Sequence, residues 1–208
     1  MRDLSIRGAG NLLGAQQHGF IDSVGFDLYS QMLEDAVTEK QTGEKKTEEK
    51  GIEILLPYDA YLPDTYIPDG YQKIQMYKRI KAIETEEAYH EISEELVDRF
   101  GDLPIEVDRL MRIARMKAWG LEVGLESIKL KNKMYRITLS MDGTQRIDGS
   151  KMVSDSMVLG RAVGFTLEDG KLVLTIDERK MSKDQDVFDL VEAVVQLLPA
   201  SLKEENPA

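Results

Sequence analysis

Residues 38–51 contain four lysines, four glutamates and no apolar side chain. A segment with nothing to bury cannot join a hydrophobic core, because ordering its backbone loses conformational entropy with no burial to offset it. We therefore interpret these residues as a flexible, solvated linker. The linker divides the chain into residues 1–37 and residues 52–208, and only the second part is long enough to fold around a sizeable core.

The first half of residues 52–208 shows mainly helical patterns. A short strand is predicted over 52–56, and three prolines between residues 57 and 68 predict extended chain packed over the domain. Apolar residues at helical spacing then predict three helices. The first runs from about 70 to 82, the second opens at Thr85 and stops at Gly101, and the third opens at Pro104.

The second half changes to strand patterns. Two hairpins are predicted, over 126–140 with a tight turn near Asn132 and over 163–176 around Asp169-Gly170, with a short helix over 150–159 between them. Ser182 and Gln185 have the spacing of a capping box and predict the start of a closing helix. The order of elements predicts an α+β fold: an N-terminal arm and helix, then a compact domain of helices packed on a small, mainly antiparallel sheet of about four strands.

The charge and residue usage exclude several classes of function. The net charge is −11, whereas domains that hold duplex DNA by themselves present a basic face, so docking against a basic protein surface suits this chain better. The absence of cysteine excludes disulfides, zinc–thiolate sites and thiol nucleophiles. Neither a membrane-spanning apolar run nor a secretory signal is present, so a cytoplasmic protein without membrane contact is expected.

The chain lacks the motifs that enzymatic chemistry needs. It has no Gly-x-x-x-x-Gly-Lys-Ser/Thr phosphate loop, no Gly-x-Ser-x-Gly elbow and only two histidines. We therefore predict that the chain by itself is no enzyme and holds no cofactor or metal. A small hydrolase using clustered carboxylates is the contrasting hypothesis, and a DNA-binding wedge is another.

One helix concentrates acidic groups, and three interpretations of it stay open. The carboxylates could be acid/base or calcium-binding groups, a docking face, or a plain solvated face. The alternating ligands and glycine turn of an EF-hand are absent, which disfavours the first interpretation. The acidic residues are Glu84, Glu86, Glu87, Glu91, Glu94, Glu95 and Asp98.

Arg109, Arg112 and Arg115 recur at every third position of the third predicted helix. Arginines in such a register could bind phosphates or carboxylates. Because the surrounding domain is acidic, we favour carboxylates, either of this chain or of a partner. Trp119, the only tryptophan, is predicted to lie in the core.

Residues 2–19 are rich in glycine and carry two arginines and two glutamines. Glycines let a backbone approach another surface closely, while arginines and backbone N–H groups can contact phosphates. This arm therefore suits a moving part that touches nucleic-acid phosphates or the edge of an ATPase core. Its candidate functional residues are Arg2, Arg7, Gly8, Gly10, Gly14, Gln17 and Gly19.

The arm resembles the translocation motif that transcription-repair coupling factors share with RecG-type branched-DNA helicases. The shared pattern is Arg-Asp-Leu-x-Ile-Arg-Gly-x-Gly-x-Leu-Leu-Gly-x-x-Gln-x-Gly, which follows the second motor domain. Further segments resemble the coupling factors in particular, and they extend the resemblance over nearly the whole chain. They are Val24-Gly25-Phe26, Leu62-Pro63, Tyr66-Ile67-Pro68-Asp69, Tyr77-Lys78-Arg79-Ile80 and Arg99-Phe100-Gly101.

The resemblance implies a C-terminal part of a bacterial transcription-repair coupling factor, with a RecG-like helicase as the alternative. It implies a parent protein that uses ATP and Mg²⁺ to translocate on double-stranded DNA, displaces stalled RNA polymerase and recruits excision repair. It assigns residues 1–37 to the end of the translocation motif and a connecting helix. It assigns residues 52–208 to a regulatory domain that folds back on an amino-terminal UvrB-like module and masks the UvrA-binding surface.

Overall fold

The computed structural model describes residues 51–203, and within them one mixed sheet of five strands carries six helices. The strands are β1 (Glu53–Leu55), β2 (Leu125–Lys131), β3 (Met134–Leu139), β4 (Val163–Glu168) and β5 (Lys171–Asp177). The helices are α1 (Gly70–Lys81), α2 (Glu86–Phe100), α3 (Ile105–Val123), α4 (Met141–Arg146), α5 (Gly149–Ser156) and α6 (Val187–Ala200). Short 3-10 turns cover Met157–Leu159 and Glu178–Lys180.

The sheet has the order β1-β2-β3-β5-β4, in which β1 is parallel to β2 and all other neighbours are antiparallel. The predicted α+β class is confirmed. The sheet has five strands rather than about four, because the predicted short strand at 52–56 joins it as β1. Since β1 and β2 are connected through three helices, they can lie parallel, which a tight hairpin would not allow.

The sheet buries one face against α3 and α6. Along β3 burial alternates with the two-residue period of a strand: Tyr135, Ile137 and Leu139 are buried while the residues between them are partly exposed. The same buried core includes five residues of α6: Leu190, Val191, Val194, Val195 and Leu198.

The helices α1, α2 and α3 enclose a second core together with the proline-rich segment at 57–69. Leu62 and Ile67 of this segment are buried, as the sequence predicted. The Tyr66 hydroxyl lies 3.0 Å from the carbonyl oxygens of both Leu96 and Gly101, and so ties the segment to the end of α2. Residues of α3 contribute to both cores, so this helix is the wall that they share.

The predicted ends of α2 and both hairpin turns are confirmed. The Thr85 side chain accepts a hydrogen bond from the Ala88 N–H, and Gly101 follows the last helical residue with φ of 89°. The β2–β3 turn places Asn132 at φ 54°, and the β4–β5 turn places Asp169 at φ 50°. Such left-handed angles are those of two-residue hairpin loops.

Two local features differ from the sequence prediction. The closing helix α6 begins at Val187, where Asp186 is its cap and accepts from the Asp189 N–H. The Ser182 N–H does donate to the Gln185 side chain (3.0 Å), but this contact closes a turn before the helix, so the capping-box prediction for the helix start was wrong. Helix α4 was not predicted at all, because its six residues show no apolar period.

Each helix contains charged residues. The longest of them, α3, has 19 residues and carries arginines, a lysine and acidic residues along its length. Between residues 51 and 203, no helix combines the length and the apolar composition that crossing a bilayer requires.

Candidate protein-interaction surface

The arm residues predicted to be functional lie outside the described residues, and so does the linker up to residue 50. The arm residues are Arg2, Arg7, Gly8, Gly10, Gly14, Gln17 and Gly19. The surface described below is therefore built from residues 51–203.

Helix α2 presents one row of exposed carboxylates, which we call the acidic stripe: Glu87, Glu91, Glu94 and Asp98. Their spacings of four, three and four residues place them on one face of the helix. Each is exposed, and none forms a salt bridge with another described residue. The stripe therefore carries negative charge that the described part of the chain does not neutralise by direct pairing.

Glu95 is adjacent in sequence to the stripe but has a different environment. Arg79 donates to one of its carboxylate oxygens at 2.7 Å, and Arg99 donates to the same oxygen at 2.6 Å. These two hydrogen bonds lower the pKa of Glu95 to about 2. Glu95 thus connects α1 and α2, and its charge is paired, unlike the charges of the stripe.

The acidic helix does not gather a metal site. The stripe residues follow one another along the helix, so they do not converge on a common point. In the described part of the chain, no group of three or more potential metal ligands comes together. His90 is 61% exposed and lies 3.6 Å from Glu86, which agrees with its predicted place on a solvated face.

Two of the three arginines of α3 pair with carboxylates of the same chain, as the acidic composition favoured. Arg112 donates to Glu192 (2.7 Å) and to Asp189 (2.5 Å), and Arg115 donates to Glu192 (2.7 Å). We call these four residues the arginine junction. Most of these contacts come from α6, which packs along α3, rather than from the acidic helix α2.

Three of the four residues of the arginine junction are largely removed from solvent, while Asp189 is 66% exposed. The side chains of Arg112, Arg115 and Glu192 are 19%, 22% and 10% exposed. Arg112 also lies over the ring of Phe188, and Arg115 lies between Tyr89 and Trp119. Although burial alone would lower the pKa of Arg112, its bonds to Glu192 and Asp189 raise it above the ordinary value. These guanidinium groups are thus committed to internal contacts rather than to phosphates.

Arg115 also makes a longer contact with α2. Its Nη1 lies 3.4 Å from an oxygen of Glu86, while the other oxygen of Glu86 and Nε of Arg115 have no hydrogen-bond partner. Glu86 therefore faces Arg115 with one oxygen, while its side chain as a whole is 40% exposed. Of the seven acidic residues singled out from the sequence, Glu86 and Glu95 serve internal contacts, and four form the exposed stripe.

Arg109, the third arginine of the predicted register, contacts an aromatic ring instead of a carboxylate. Its guanidinium lies 4.9 Å from the ring centre of Tyr58, a cation–π contact to the segment that follows β1. Trp119 is partly buried against the sheet core, which agrees with its predicted core position.

Three basic residues on the exposed side of the sheet are paired with carboxylates as well. Lys129 binds Glu53 (2.5 Å), Lys171 binds Glu126 (2.7 Å), and Arg136 binds Glu168. Because each of these cations has an adjacent carboxylate, this side of the sheet does not offer the concentrated positive charge that a duplex requires. The acidic stripe remains the best candidate for a functional surface.

Comparison with known proteins links this fold to one family. The family model described as "TRCF domain" matches residues 56–150, which include α1, α2 and α3. The transcription-repair-coupling factor of Bacillus subtilis is 48% identical over 185 residues, which are 89% of this chain and 16% of that protein. That of Staphylococcus epidermidis is 45% identical over 207 residues, which are 99% of this chain and 18% of that protein. The chain thus spans less than a fifth of these curated relatives.

A solved structure shares the fold. It is described as the crystal structure of the C-terminal domain of transcription-repair coupling factor, and it matches with a TM-score of 0.65 and 28% sequence identity. The match covers 76% of this chain and 99% of the solved chain.

Proposed function

The chain belongs to the transcription-repair-coupling factor family, and on that premise we propose that residues 52–208 act as an autoinhibitory domain that docks through the acidic stripe. In this proposal the docking partner is the family's amino-terminal UvrB-like module, and docking masks the surface that UvrA binds. The arm motif by itself is shared by coupling factors and RecG-type helicases. Membership of the coupling-factor family favours the first of these.

The unpaired charge of the acidic stripe carries the proposal. Nearby carboxylates with a structural task are paired, as Glu95 is with Arg79 and Arg99. Four like charges on one helix face disfavour the helix slightly, by about 0.2–0.5 kcal/mol for each adjacent pair. A basic partner surface would turn this repulsion into attraction and would set the register of docking.

The whole protein, in the same proposal, is an ATP-dependent translocase on double-stranded DNA. It displaces stalled RNA polymerase and recruits nucleotide excision repair, and its motor holds ATP and Mg²⁺. The present chain contributes regulation and coupling rather than catalysis, since no phosphate-binding loop occurs in its sequence.

Binding to the amino-terminal module of the whole protein tests the docking role. Titration calorimetry with the 208-residue chain should show binding at low ionic strength that weakens as salt is added, because exposed charges are screened within about 10 Å at ~0.1 M salt. The triple variant Glu87→Gln/Glu91→Gln/Glu94→Gln should bind about tenfold more weakly. No binding by the unaltered chain at low salt would contradict the proposal.

A control of equal charge separates the stripe from net charge. Glu122→Gln/Asp142→Asn/Asp184→Asn also removes three exposed negative charges, but from other elements of the domain. This variant should bind like the unaltered chain. Equal weakening by both triple variants would show that the total charge, and not the stripe, drives association.

The arm has a separate proposed role, the coupling of ATP hydrolysis to movement on DNA, for which its resemblance to the translocation motif is the support. In the whole protein, Arg7→Ala or Gln17→Ala should leave ATP turnover in place while polymerase displacement is lost. Normal displacement by both variants would overturn this assignment. ATP hydrolysis by the 208-residue chain alone would instead contradict the non-catalytic role.

A further inference from the structure

Strand β4 forms an edge of the sheet, and the outward backbone groups of its second half have no strand partner within residues 51–203. The Asp177 N–H donates to the Ala162 carbonyl (2.9 Å), so the even-numbered positions face β5. The Val163 N–H donates away from the sheet, to the Gly160 carbonyl (3.3 Å). Because backbone direction alternates along a strand, the N–H and C=O groups of Phe165 and Leu167 point outward, where no other described residue bonds to them.

The two edges of the sheet differ in how they are protected. The β1 edge is three residues long, and Pro57 follows it closely. By contrast, β4 has six residues and contains neither proline nor lysine, the residues that commonly blunt an exposed edge. Leu167 near its end is 69% exposed, and Met157 and Val158 in the turn before it are 77% and 85% exposed. An unprotected edge beside exposed apolar side chains is a template for another strand.

The sequence of β4 and its flanks is complementary to itself. The strand residues whose backbone groups point outward are Val163, Phe165 and Leu167. Arg161 precedes the strand and Asp169 lies in the turn that follows it, so the segment is basic at one end and acidic at the other. Antiparallel pairing about a twofold axis at Phe165 would place Val163 opposite Leu167 and would bring Arg161 of each copy near the turn that contains Asp169 of the other. Neither Arg161 nor Asp169 forms a salt bridge with another described residue, and both are exposed.

We propose that β4 pairs with β4 of a second copy of this chain, so that two five-stranded sheets become one continuous sheet. A twofold axis makes the contact identical from both sides, and both Arg161–Asp169 pairs then form at once. A short ladder buries little surface, so the dimer belongs to the weak class of interfaces. This surface is formed by other residues than the acidic stripe, so the proposal does not depend on docking through that stripe.

Charge-swapped variants of the 208-residue chain test the pairing by sedimentation velocity over a range of concentrations. The unaltered chain should pass from monomer to dimer as its concentration rises. Arg161→Asp and Asp169→Arg should each weaken self-association about tenfold, because each places like charges opposite one another twice. A mixture of the two variants should form a heterodimer with near-normal affinity, because opposite charges then meet at both ends.

The mixture distinguishes a lost contact from a damaged fold, since two misfolded chains would not restore one another. Asp169 lies at φ 50°, so Leu167→Lys provides a variant that leaves the turn unaltered and should abolish the dimer. Leu55→Lys on β1 is the matched control, because it alters an exposed leucine on the opposite edge. This control should dimerise like the unaltered chain.

Amide exchange measured by NMR gives an independent result. The amides of Phe165 and Leu167 should exchange more slowly as the dimer forms, while those of Thr166 and Glu168, already bonded to β5, should change little. A chain that stays monomeric with fast exchange at both positions overturns the proposal. Slow exchange in a monomer overturns it as well, because another segment of the same chain would then cover the edge. A dimer insensitive to all three variants would place the contact elsewhere.

Discussion

The acidic stripe and the arginine junction use the same kinds of charged residue under opposite conditions. In the junction, Glu192 is 10% exposed and binds both Arg112 and Arg115. In the stripe, Glu91 and Glu94 are exposed and form no salt bridge with a described residue. Buried charges must be paired to be tolerated, whereas exposed charges need no partner and can serve another molecule. Whether a carboxylate is paired within the domain, and not its residue type, therefore indicates whether it supports the fold.

Glu192→Ala provides the strongest test of this contrast. Removal of the carboxylate leaves two largely buried guanidinium groups without their shared partner. The carboxylates that remain near them, those of Asp108, Asp189 and Glu86, are all more exposed than that of Glu192. We expect the free energy of unfolding to fall by about 3 kcal/mol, as measured by urea denaturation. The control is Glu122→Ala, which removes an exposed carboxylate from α3 and should change stability by less than about 0.5 kcal/mol.

A decrease of less than about 1 kcal/mol in the free energy of unfolding of Glu192→Ala would contradict this contrast, because the junction would then behave like an exposed ion pair. A fall in docking affinity without a fall in stability would also contradict it, since Glu192 would then belong to the interaction surface.

Glu95→Gln tests a pair of intermediate exposure. The pKa of Glu95 is depressed to about 2, because Arg79 and Arg99 bond to its charged form. A depressed folded-state pKa gives stability above the unfolded pKa, and that stability is lost as the pH falls through the folded value. The carboxylate is 28% exposed, so solvent screening limits the effect to about 1 kcal/mol.

The measurement is urea denaturation of the unaltered chain and of Glu95→Gln at several pH values. The unaltered chain should be the more stable at neutral pH, and the difference should shrink between pH 4.5 and about 2. A difference independent of pH across that window would show that the hydrogen-bonding geometry, and not the charge, stabilises this contact.

Local chemistry explains why much of the fold could be predicted. The ends of α2 follow from Thr85 and Gly101, and the second hairpin follows from Asp169-Gly170, because these residues satisfy or permit the backbone geometry where they stand. Helix α4 depends on packing instead. A Cβ on Gly143 would lie 2.2 Å from the Val123 carbonyl oxygen, so this glycine is required by a close approach that its neighbours in sequence do not reveal.

The candidate surface could be predicted only in part for the same reason. The spacing of Glu87, Glu91, Glu94 and Asp98 is visible in the sequence, and a docking face was one of the interpretations left open. That Glu86 and Glu95 serve the interior depends on Arg115 and Arg79, which other helices bring near. The α6 carboxylates lie 77 and 80 residues from Arg112, beyond the reach of any local pattern.

Glu94→Gln is the finest test, because Glu94 and Glu95 are adjacent in sequence and the comparison assigns them opposite roles. The residues one turn away from Glu94 include Glu91 and Asp98, both acidic and exposed. Like charges at these helical spacings destabilise a helix, so removing the central charge should raise the free energy of unfolding by about 0.3 kcal/mol. Urea denaturation of Glu94→Gln and Glu95→Gln in parallel should therefore give changes of opposite sign in the free energy of unfolding.

Added salt should remove the gain in stability of Glu94→Gln, because it screens the repulsion that the substitution relieves. A loss of stability on Glu94→Gln would show that this carboxylate has a structural partner and does not belong to a free acidic surface.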